Sequence, residues 1–424
     1  MRLPAPIQSS IILLARAAAL TAAFAASAAA QPTPLVSESP AVPAPPVVTS
    51  APAAMAPPPP IAPEPAQVIA PIEIHGFMSQ GLILTTGNDY LAPDTKHGSF
   101  QFSEVAINFT TEVSDQLRLG VQAFAQNLGL GENFNLKADW FYVDYRWKDW
   151  LGLRAGRLKI PFGLYNEVND IDAARAPILL PQSTYPLQGR NFLFAETGVE
   201  LYGFLRARSA GALEYRAYVG TIFIDRTILV PPGSSVDLQL NVRRVIGGRL
   251  FWETPVHGLR LGVSALAVRL YVTAFSGGVA YPIQNRAMLE MASLEYVRGG
   301  LAVTAEYSRW PTVQESSIPG SNFSITNERT YAMVSYRVAP WFQPSAYYAL
   351  FFPDVNKRDG GDLFRQDDVA LALRFDLTAH WIVKLEGNYM VGTAGLVPPL
   401  SVTALPTDLK THWGVFLLKT TGYF

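Results

Sequence analysis

The chain contains no cysteine, which excludes disulfide bonds and thiolate metal sites. The body of the chain has no continuous apolar run of about 20 residues, so a bundle of membrane-spanning helices is excluded as well. Charged residues make up only 16% of the sequence, the formal net charge is -1 and no basic stripe occurs, so we expect no nucleic-acid partner.

The first part of the chain has the features of an export signal. In residues 1–30, Arg2 precedes an Ala-rich apolar stretch, and Ala28-Ala29-Ala30 provides small side chains before a cleavage site. An uncleaved membrane anchor is the alternative, but Arg16 interrupts the apolar stretch. We therefore predict a signal peptide over residues 1–30.

Residues 31–71 are rich in Pro, Ala, Val and Ser and contain no aromatic residue. Such a segment cannot form a core, and we expect a disordered or extended periplasmic arm. A spacer is the simpler interpretation, and an arm that touches the cell wall is the alternative. The remaining residues, 72–424, form the body.

In the body, apolar and polar residues alternate with a period of two. Between residues 381 and 389, Trp381, Val383 and Leu385 fall on one face, whereas Lys384 and Glu386 fall on the other. This alternation is typical of strands with one lipid-facing surface and one wet surface.

Sixteen candidate strands follow from the alternation. Connections after odd-numbered strands are long, such as 160–195, 271–285 and 311–326, whereas those after even-numbered strands are short. An open sheet edge in lipid would leave backbone groups unsatisfied, so the sheet must close on itself. We predict an all-β fold: a closed transmembrane antiparallel β-barrel of 16 strands with short periplasmic turns and long extracellular loops.

The longest connection, 160–195, carries a recognisable pattern. It begins Ile160-Pro161-Phe162-Gly163-Leu164-Tyr165-Asn166-Glu167 and follows Arg154-Ala155-Gly156-Arg157-Leu158-Lys159. Over about 150–205 the chain resembles the porin superfamily around the phosphate-selective porins O and P, in members with an R-x-G-R-x-K-x-P-F-G-x-Y-N-E stretch. The resemblance implies a homotrimeric channel whose third loop, 160–195, folds into the lumen. Phosphate selectivity is not implied, because no Arg-rich ladder or lysine cluster matches.

The last residue, Phe424, ends an amphipathic strand with Phe416 and Leu418 on the same face. This resembles the signal that the outer-membrane barrel assembly machinery reads, although Gly422 stands where an aromatic residue is commoner. Phe424 is therefore the candidate assembly signal.

The third loop also suggests a pore constriction on physical grounds. Opposed charges across a narrow opening create a transverse field that filters solutes by size and charge. The alternative is that the charges only pin the loop to the wall. Alternation from Leu153 and Ala155 points one of these residues, Arg157, outward unless the strand bulges. The candidate constriction residues are Arg154, Arg157, Lys159, Glu167, Asp170, Asp172, Arg175 and Arg190.

Alternation within each strand also assigns charged residues to the lumen wall. The two signs nearly balance on the wall, and the third loop shifts the total charge toward positive. We therefore expect only a mild anion preference. The basic wall residues are Arg118, Arg206, Arg243, Arg249, Arg260, Arg374 and Lys384, and the acidic ones are Glu104, Glu200, Glu306, Asp368, Asp376 and Glu386.

These features predict an outer-membrane porin of a Gram-negative bacterium that passes small hydrophilic solutes by diffusion, without catalysis, cofactor or metal. The expected partners are outer-membrane lipid and lipopolysaccharide, the assembly machinery and further copies of the chain. A structural or envelope-tethering barrel that uses the arm is one alternative, and a barrel hydrolase with a site at its rim is the other.

Overall fold

The computed structural model describes residues 70–128, 133–187, 193–223, 237–276, 279–396 and 408–424. The predicted signal peptide, nearly all of the predicted arm 31–71 and Arg190 lie outside the described residues. The interpretations of those parts of the chain therefore stay predictions.

The described residues form sixteen strands in one antiparallel sheet. They are β1 Ile72–Thr85, β2 Phe102–Ser114, β3 Leu117–Leu128, β4 Lys137–Lys148, β5 Leu151–Lys159, β6 Ala195–Arg206, β7 Ala212–Thr221, β8 Asp237–Glu253, β9 Leu259–Ser276, β10 Val279–Arg298, β11 Leu301–Ser316, β12 Phe323–Tyr336, β13 Phe342–Phe352, β14 Gln366–Thr378, β15 Trp381–Gly392 and β16 His412–Tyr423. The sheet closes where β1 pairs with β16, from Phe77 opposite Tyr423 to Thr85 opposite Val415. The predicted closed barrel of sixteen strands is confirmed.

Alternation along the strands separates a polar interior from an apolar outer surface. On β15, Lys384 and Glu386 are buried inside, whereas Trp381 and Tyr389 are exposed on the outside. On β14, the outward Leu371 is 67% exposed. An apolar outer face on a sheet without open edges is what contact with hydrocarbon requires, so the barrel spans a membrane with its strands.

The helical segments Thr95–His97, Asn166–Val168 and Asp172–Ala174 are single turns in the connections. None of the helices in the described ranges is long and apolar enough to cross a membrane.

The two ends of the barrel differ in their connections. One end carries Ile72, Phe424 and tight turns such as that between Arg298 and Leu301, and we call it the turn end. The opposite end, where β5 leads into the connection that begins at Ile160, is the loop end.

The predicted long connection 271–285 is wrong. Strand β9 continues to Ser276 and β10 already begins at Val279. The side chains of Val272 and Ala274 are buried and continue the inward face of β9, which shows that the strand does not end at Leu270. The neighbouring connection 311–326 is likewise shorter than predicted, because β11 runs to Ser316.

A bulge in β8 changes one predicted wall position. Val242 lies opposite Leu270 and Arg244 lies opposite Arg269, which leaves Arg243 as the extra residue. Val242 packs on the inside, whereas Arg243 and Arg244 are exposed. The assignment of Arg243 to the lumen wall is therefore corrected, because the extra residue breaks the alternation that was counted from the rest of the strand.

Candidate functional site

The connection between β5 and β6 turns toward the opposite wall of the barrel at a glycine. Gly163 has a φ of 64°, and a Cβ there would lie 2.3 Å from the Tyr185 hydroxyl oxygen. Its N–H donates to the Ser264 hydroxyl on β9 at 3.0 Å. Only glycine combines this backbone conformation with such close neighbours. We call residues 160–187 the inner loop.

Glu167 attaches the first part of the inner loop to β7 and β8. Its carboxylate accepts from Arg216 at 2.6 Å and from Arg249 at 2.7 Å. Burial alone would raise the pKa of Glu167, but the two guanidinium groups hold it below its usual value. Glu167 therefore stays ionised as a bridge between two wall arginines, and we call this the Glu167 anchor.

Asp172 attaches the middle of the inner loop to the far wall. Its carboxylate lies 2.8 Å from the Lys419 Nζ and 2.9 Å from Arg175, and the Thr421 hydroxyl donates to it at 2.7 Å. Lys384 follows at 3.8 Å. Burial opposes ionisation here, yet the surrounding cations hold the pKa of Asp172 well below its usual range. We call this buried group the Asp172 anchor.

Charged wall residues next to the Asp172 anchor bind the loop backbone rather than solvent. The Lys384 Nζ donates to three loop carbonyls, those of Asp172 at 2.8 Å, Arg175 at 2.9 Å and Pro177 at 3.0 Å. Arg374 donates to the carbonyl of Ala173 at 2.7 Å. These wall charges satisfy loop carbonyls that the interior would otherwise leave unpaired.

Two wall carboxylates accept hydrogen bonds from the inner loop. Glu386 on β15 accepts the N–H groups of Ile178 at 2.5 Å and Leu179 at 3.1 Å. Glu306 on β11 accepts the Leu164 N–H at 2.9 Å and the Tyr185 hydroxyl. Burial, and after it the charge of Glu306, raises the pKa of Tyr185 well above its usual value, so the phenol keeps its proton and donates.

Apolar packing fills the interior between the inner loop and strands β9 to β16. Ile178 and Leu179 pack with Met390, Trp413 and Leu417. Two further apolar clusters join the loop to strands β7 to β11 and to β12, β13 and β14. We call this region the packed side.

A polar cavity of about 350 Å³ lies between the inner loop and the wall made by strands β2 to β7. Trp140 and Tyr142 contribute stacked rings, with centroids 5.5 Å apart. We call this region the cavity side. The charged residues that line the cavity are the basic Arg154, Arg157, Lys159 and Arg216 and the acidic Glu167 and Glu200.

Arg154 is held in a fixed position at the cavity wall. Its guanidinium donates to Asp144 at 3.0 Å and to Glu200 at 3.3 Å, and it lies 4.3 Å from the centre of the Tyr202 ring. Two carboxylates and an aromatic face hold the planar group without enclosing it completely.

Arg157 lines the same cavity although simple alternation points it outward. Gly156 before it has a φ of 142°, and a Cβ at that position would lie 2.2 Å from the Phe141 carbonyl oxygen. The Nε of Arg157 donates to the Asp139 carbonyl at 2.9 Å. The unusual glycine conformation interrupts the alternation, so the side chain reaches the interior.

The predicted constriction residues divide between the two sides. Lys159 lines the cavity and binds Asp170 at 2.9 Å. Arg175 is buried and belongs to the Asp172 anchor. The sequence placed all of them in one opening, but of those within the described residues only Arg154, Arg157, Lys159 and Glu167 border the cavity.

The remaining predicted wall residues are either buried with a partner inside the barrel, joined in ion pairs along the wall, or exposed near the turn end. Glu104 is buried against Lys419 at 2.5 Å, and Asp368 accepts from Tyr347 at 3.1 Å. Arg260 pairs with Glu295 at 2.7 Å, and Asp376 pairs with Arg374 at 2.9 Å. Arg118 and Arg206 are exposed toward the turn end of their strands.

Sequence reasoning missed several charged residues of the interior, among them Arg216, Asp144 and Lys419. Each was detectable from alternation. Arg216 shares a strand face with the buried Tyr218, and Lys419 shares one with the buried Leu417. The inner-loop partners of Arg216 and Lys419, which are Glu167 and Asp172, were not detectable in this way, because alternation is local to one strand.

Phe424 lies at the seam where the barrel closes. Its N–H donates to the Gly76 carbonyl at 3.1 Å, and its carbonyl accepts from the Gly76 N–H at 3.0 Å. The side chain is 55% exposed on the outer surface. The last residue thus extends the pairing of the first and last strands.

No protein-family model and no curated protein matches the chain. Among solved structures, the anion-selective porin from Comamonas acidovorans has a TM-score of 0.52 at 11% identity, over 84% of this chain and 100% of that one. The outer membrane channel DcaP of Acinetobacter baumannii has a TM-score of 0.51 at 10% identity, over 85% and 100%. Salmonella typhi OmpF in complex with daunomycin has a TM-score of 0.51 at 10% identity, over 84% and 98%. The chain therefore has the fold of outer-membrane porin barrels.

Proposed function

We propose that the protein is a porin of the outer membrane of a Gram-negative bacterium and passes small hydrophilic solutes and ions by diffusion. The observation that carries the proposal is the polar cavity of about 350 Å³ that lies beside the inner loop. The loop end faces the cell exterior and the turn end faces the periplasm. Transport of this kind needs no catalytic group and no cofactor.

The charge of the cavity favours anions mildly. Four basic side chains line it against two carboxylates, and two of the basic ones, Arg154 and Lys159, also bind Asp144 and Asp170 outside the lining, so the positive surplus is small. A surplus of positive charge in a narrow opening with low-dielectric walls attracts anions. Arg154, Arg157, Lys159 and Glu167 form the constriction in this proposal, whereas Asp170, Asp172 and Arg175 hold the loop in place.

The reversal potential in a potassium chloride gradient across a planar bilayer tests the anion preference. The unmodified channel should favour chloride, and Arg157→Gln should reduce that preference. Arg298→Gln is the matched control, because Arg298 is exposed at the turn end, outside the cavity. A cation preference in the unmodified channel would contradict the proposal.

Ionic strength gives a second test of the same point. The screening length falls from about 8 Å at physiological salt to about 3 Å at 1 M. The preference of a wet pore should therefore weaken as the salt concentration rises. A preference that stays constant would indicate a dehydrated binding site instead.

The rival functions predict different measurements. A structural or envelope-tethering barrel that uses residues 31–71 would show no ohmic conductance steps, and a barrel hydrolase would show turnover that fails when one rim residue is replaced. No observation in the described residues favours either rival, whereas the cavity lined by charged side chains supports a channel.

We further propose that the barrel assembles as a homotrimer and that Phe424 acts as the signal for the assembly machinery. The trimer rests on the resemblance of residues 150–205 to porins, and the signal rests on the position of Phe424 at the barrel seam. Native mass measurement in mild detergent tests the first proposal, and a monomer would contradict it. Outer-membrane yield of Phe424→Ala tests the second.

A further inference from the structure

Three arginines form a row on the outer surface of the barrel, across β8, β9 and β10. Arg244 lies opposite Arg269, and Arg269 lies opposite Arg286. All three side chains are exposed. Residues directly opposite each other in an antiparallel pair have Cβ atoms only about 4.5 to 5.5 Å apart. We call these three residues the arginine row.

The arginine row carries more positive charge than its protein surroundings balance. Arg286 pairs with the exposed Glu315, but Arg244 and Arg269 have no carboxylate partner within the described ranges. The bulge adds Arg243, which is exposed beside Arg244. Like charges directly opposite each other destabilise a sheet unless an anion lies between them.

The row lies where the apolar band of the barrel ends. Outward from β9, four apolar residues at alternate positions, from Leu261 to Ala267, precede Arg269. Eight residues of a strand tilted by about 40° rise roughly 20 Å, compared with an apolar band of about 25 Å. Trp252, opposite Leu261, marks the lower border with an exposed ring. Arg269 therefore lies near the upper membrane border, on the side of the loop end.

The lengths of strands β8, β9 and β10 support the position of Arg269 near the upper membrane border. Strands β8, β9 and β10 have 17, 18 and 20 residues, whereas about 9 to 11 residues suffice to cross the membrane. The three strands must extend beyond the hydrocarbon layer. The outward Tyr271 and Thr273 lie beyond Arg269 and are compatible with a wet interface.

We propose that the arginine row binds the phosphate groups of a phosphorylated glycolipid in the outer leaflet. Guanidinium groups bind phosphate oxygens in pairs, and a row across three strands can hold a broad headgroup at more than one point. The apolar residues below the row contact the acyl chains of the same lipid. This proposal rests on the outer-membrane location given under the proposed function, but it does not depend on conductance.

The test uses the full chain in mild detergent and bis-phosphorylated lipid A as the probe, with bound lipid measured by native mass spectrometry. The variant Arg244→Gln/Arg269→Gln/Arg286→Gln should bind lipid A at least tenfold more weakly than the unmodified barrel. The control Lys148→Gln/Arg208→Gln/Arg298→Gln removes three exposed cations at the turn end and should change binding less than twofold. Dephosphorylated lipid A should bind the unmodified barrel as weakly as lipid A binds the variant.

Three results would overturn the proposal: equal binding of lipid A by the row variant, an equal loss in the control variant, or equal binding of the dephosphorylated lipid. Displacement of lipid A by an equal concentration of inorganic phosphate would also overturn it, because the site would then take free phosphate. Gel migration before and after heating checks that each barrel is folded. If the triple variant fails to fold, Arg269→Glu provides the same comparison with one exposed substitution.

Discussion

The strands on both sides of the barrel interior alternate inward and outward residues, but their inward residues have different roles on the two sides. On the cavity side, strands β2 to β7 present charged side chains that leave about 350 Å³ open. On the packed side, strands β9 to β16 bind the backbone of the inner loop and cover it with apolar residues. The difference lies in the loop, which offers the partly exposed Glu167 to the cavity wall and offers carbonyls, N–H groups, apolar side chains and the buried Asp172 to the other wall.

The two anchors express the same contrast. The Glu167 anchor borders the cavity and keeps part of its side chain exposed, whereas Asp172 is almost fully buried among Lys419, Lys384 and Arg175. Burying such a cluster gains little net stability, but removing one member leaves the other charges uncompensated. The packed side should therefore respond more strongly to substitution than the cavity side.

The largest effect is expected for Asp172→Asn. This change leaves three cations without their shared carboxylate and should lower the free energy of unfolding by about 3 to 5 kcal/mol, measured in urea from lipid vesicles. Release of the inner loop should also raise the single-channel conductance. The control Asp359→Asn, at an exposed position, should change stability by less than about 0.5 kcal/mol. Equal stability of the two variants would show that Asp172 does not anchor the loop.

The second-largest effect on stability is expected for the apolar packing of Leu179 on the packed side. Leu179→Ala should cost about 2 to 4 kcal/mol of unfolding free energy, because a buried side chain is replaced by a void among Met390, Trp413 and their neighbours. Leu371→Ala is the control, since Leu371 is 67% exposed on the outer surface and leaves no internal void. A loss of less than about 1 kcal/mol in Leu179→Ala would argue against a tightly packed side.

Glu167→Gln should have a smaller effect on stability, about 1 kcal/mol. Arg216 keeps Glu200 and Glu214 as partners, and Arg249 keeps Glu214, so neither guanidinium is left alone. The loss of one negative charge beside the cavity should instead strengthen the anion preference, measured as a reversal potential. An unchanged reversal potential would place Glu167 outside the ion path.

The smallest expected effect is that of pH on the Asp172 anchor. Because the pKa of Asp172 is lowered from the usual 3.8 in the folded state, its stabilisation is complete above that value and is lost only as the pH falls toward the folded pKa. The difference in unfolding free energy between the unmodified protein and Asp172→Asn should therefore stay constant from pH 7 to pH 5. It should narrow only below about pH 4. Narrowing already near pH 6 would contradict a lowered pKa.

The sequence was sufficient to predict the strands and their closure. Alternation is a local property, and it placed Arg154, Lys384 and Glu386 on the inner face of their strands correctly. It failed where the backbone departs from a regular strand, at the bulge of Arg243 and at Gly156 before Arg157.

The contacts of the inner loop were beyond local reasoning for a different reason. Arg175 is a charged residue of the long loop, as a pore residue would be, but its side chain is buried. The strands that bury it, β14, β15 and β16, come to lie opposite β5 only once the barrel has closed. The part of β9 beyond Leu270 was not predicted from the sequence. Once a strand passes the membrane border its outward residues can be polar, and it then resembles a loop in composition.

Cysteine accessibility tests the difference between the two sides most directly, because the chain has no cysteine of its own. Asn108 lines the cavity, and Val415 is buried on the packed side. In planar bilayers, Asn108→Cys should react with a negatively charged methanethiosulfonate reagent and lose conductance, whereas Val415→Cys should not react. Equal reaction at both positions, or no loss of conductance at Asn108→Cys, would contradict a permeation path confined to the cavity side.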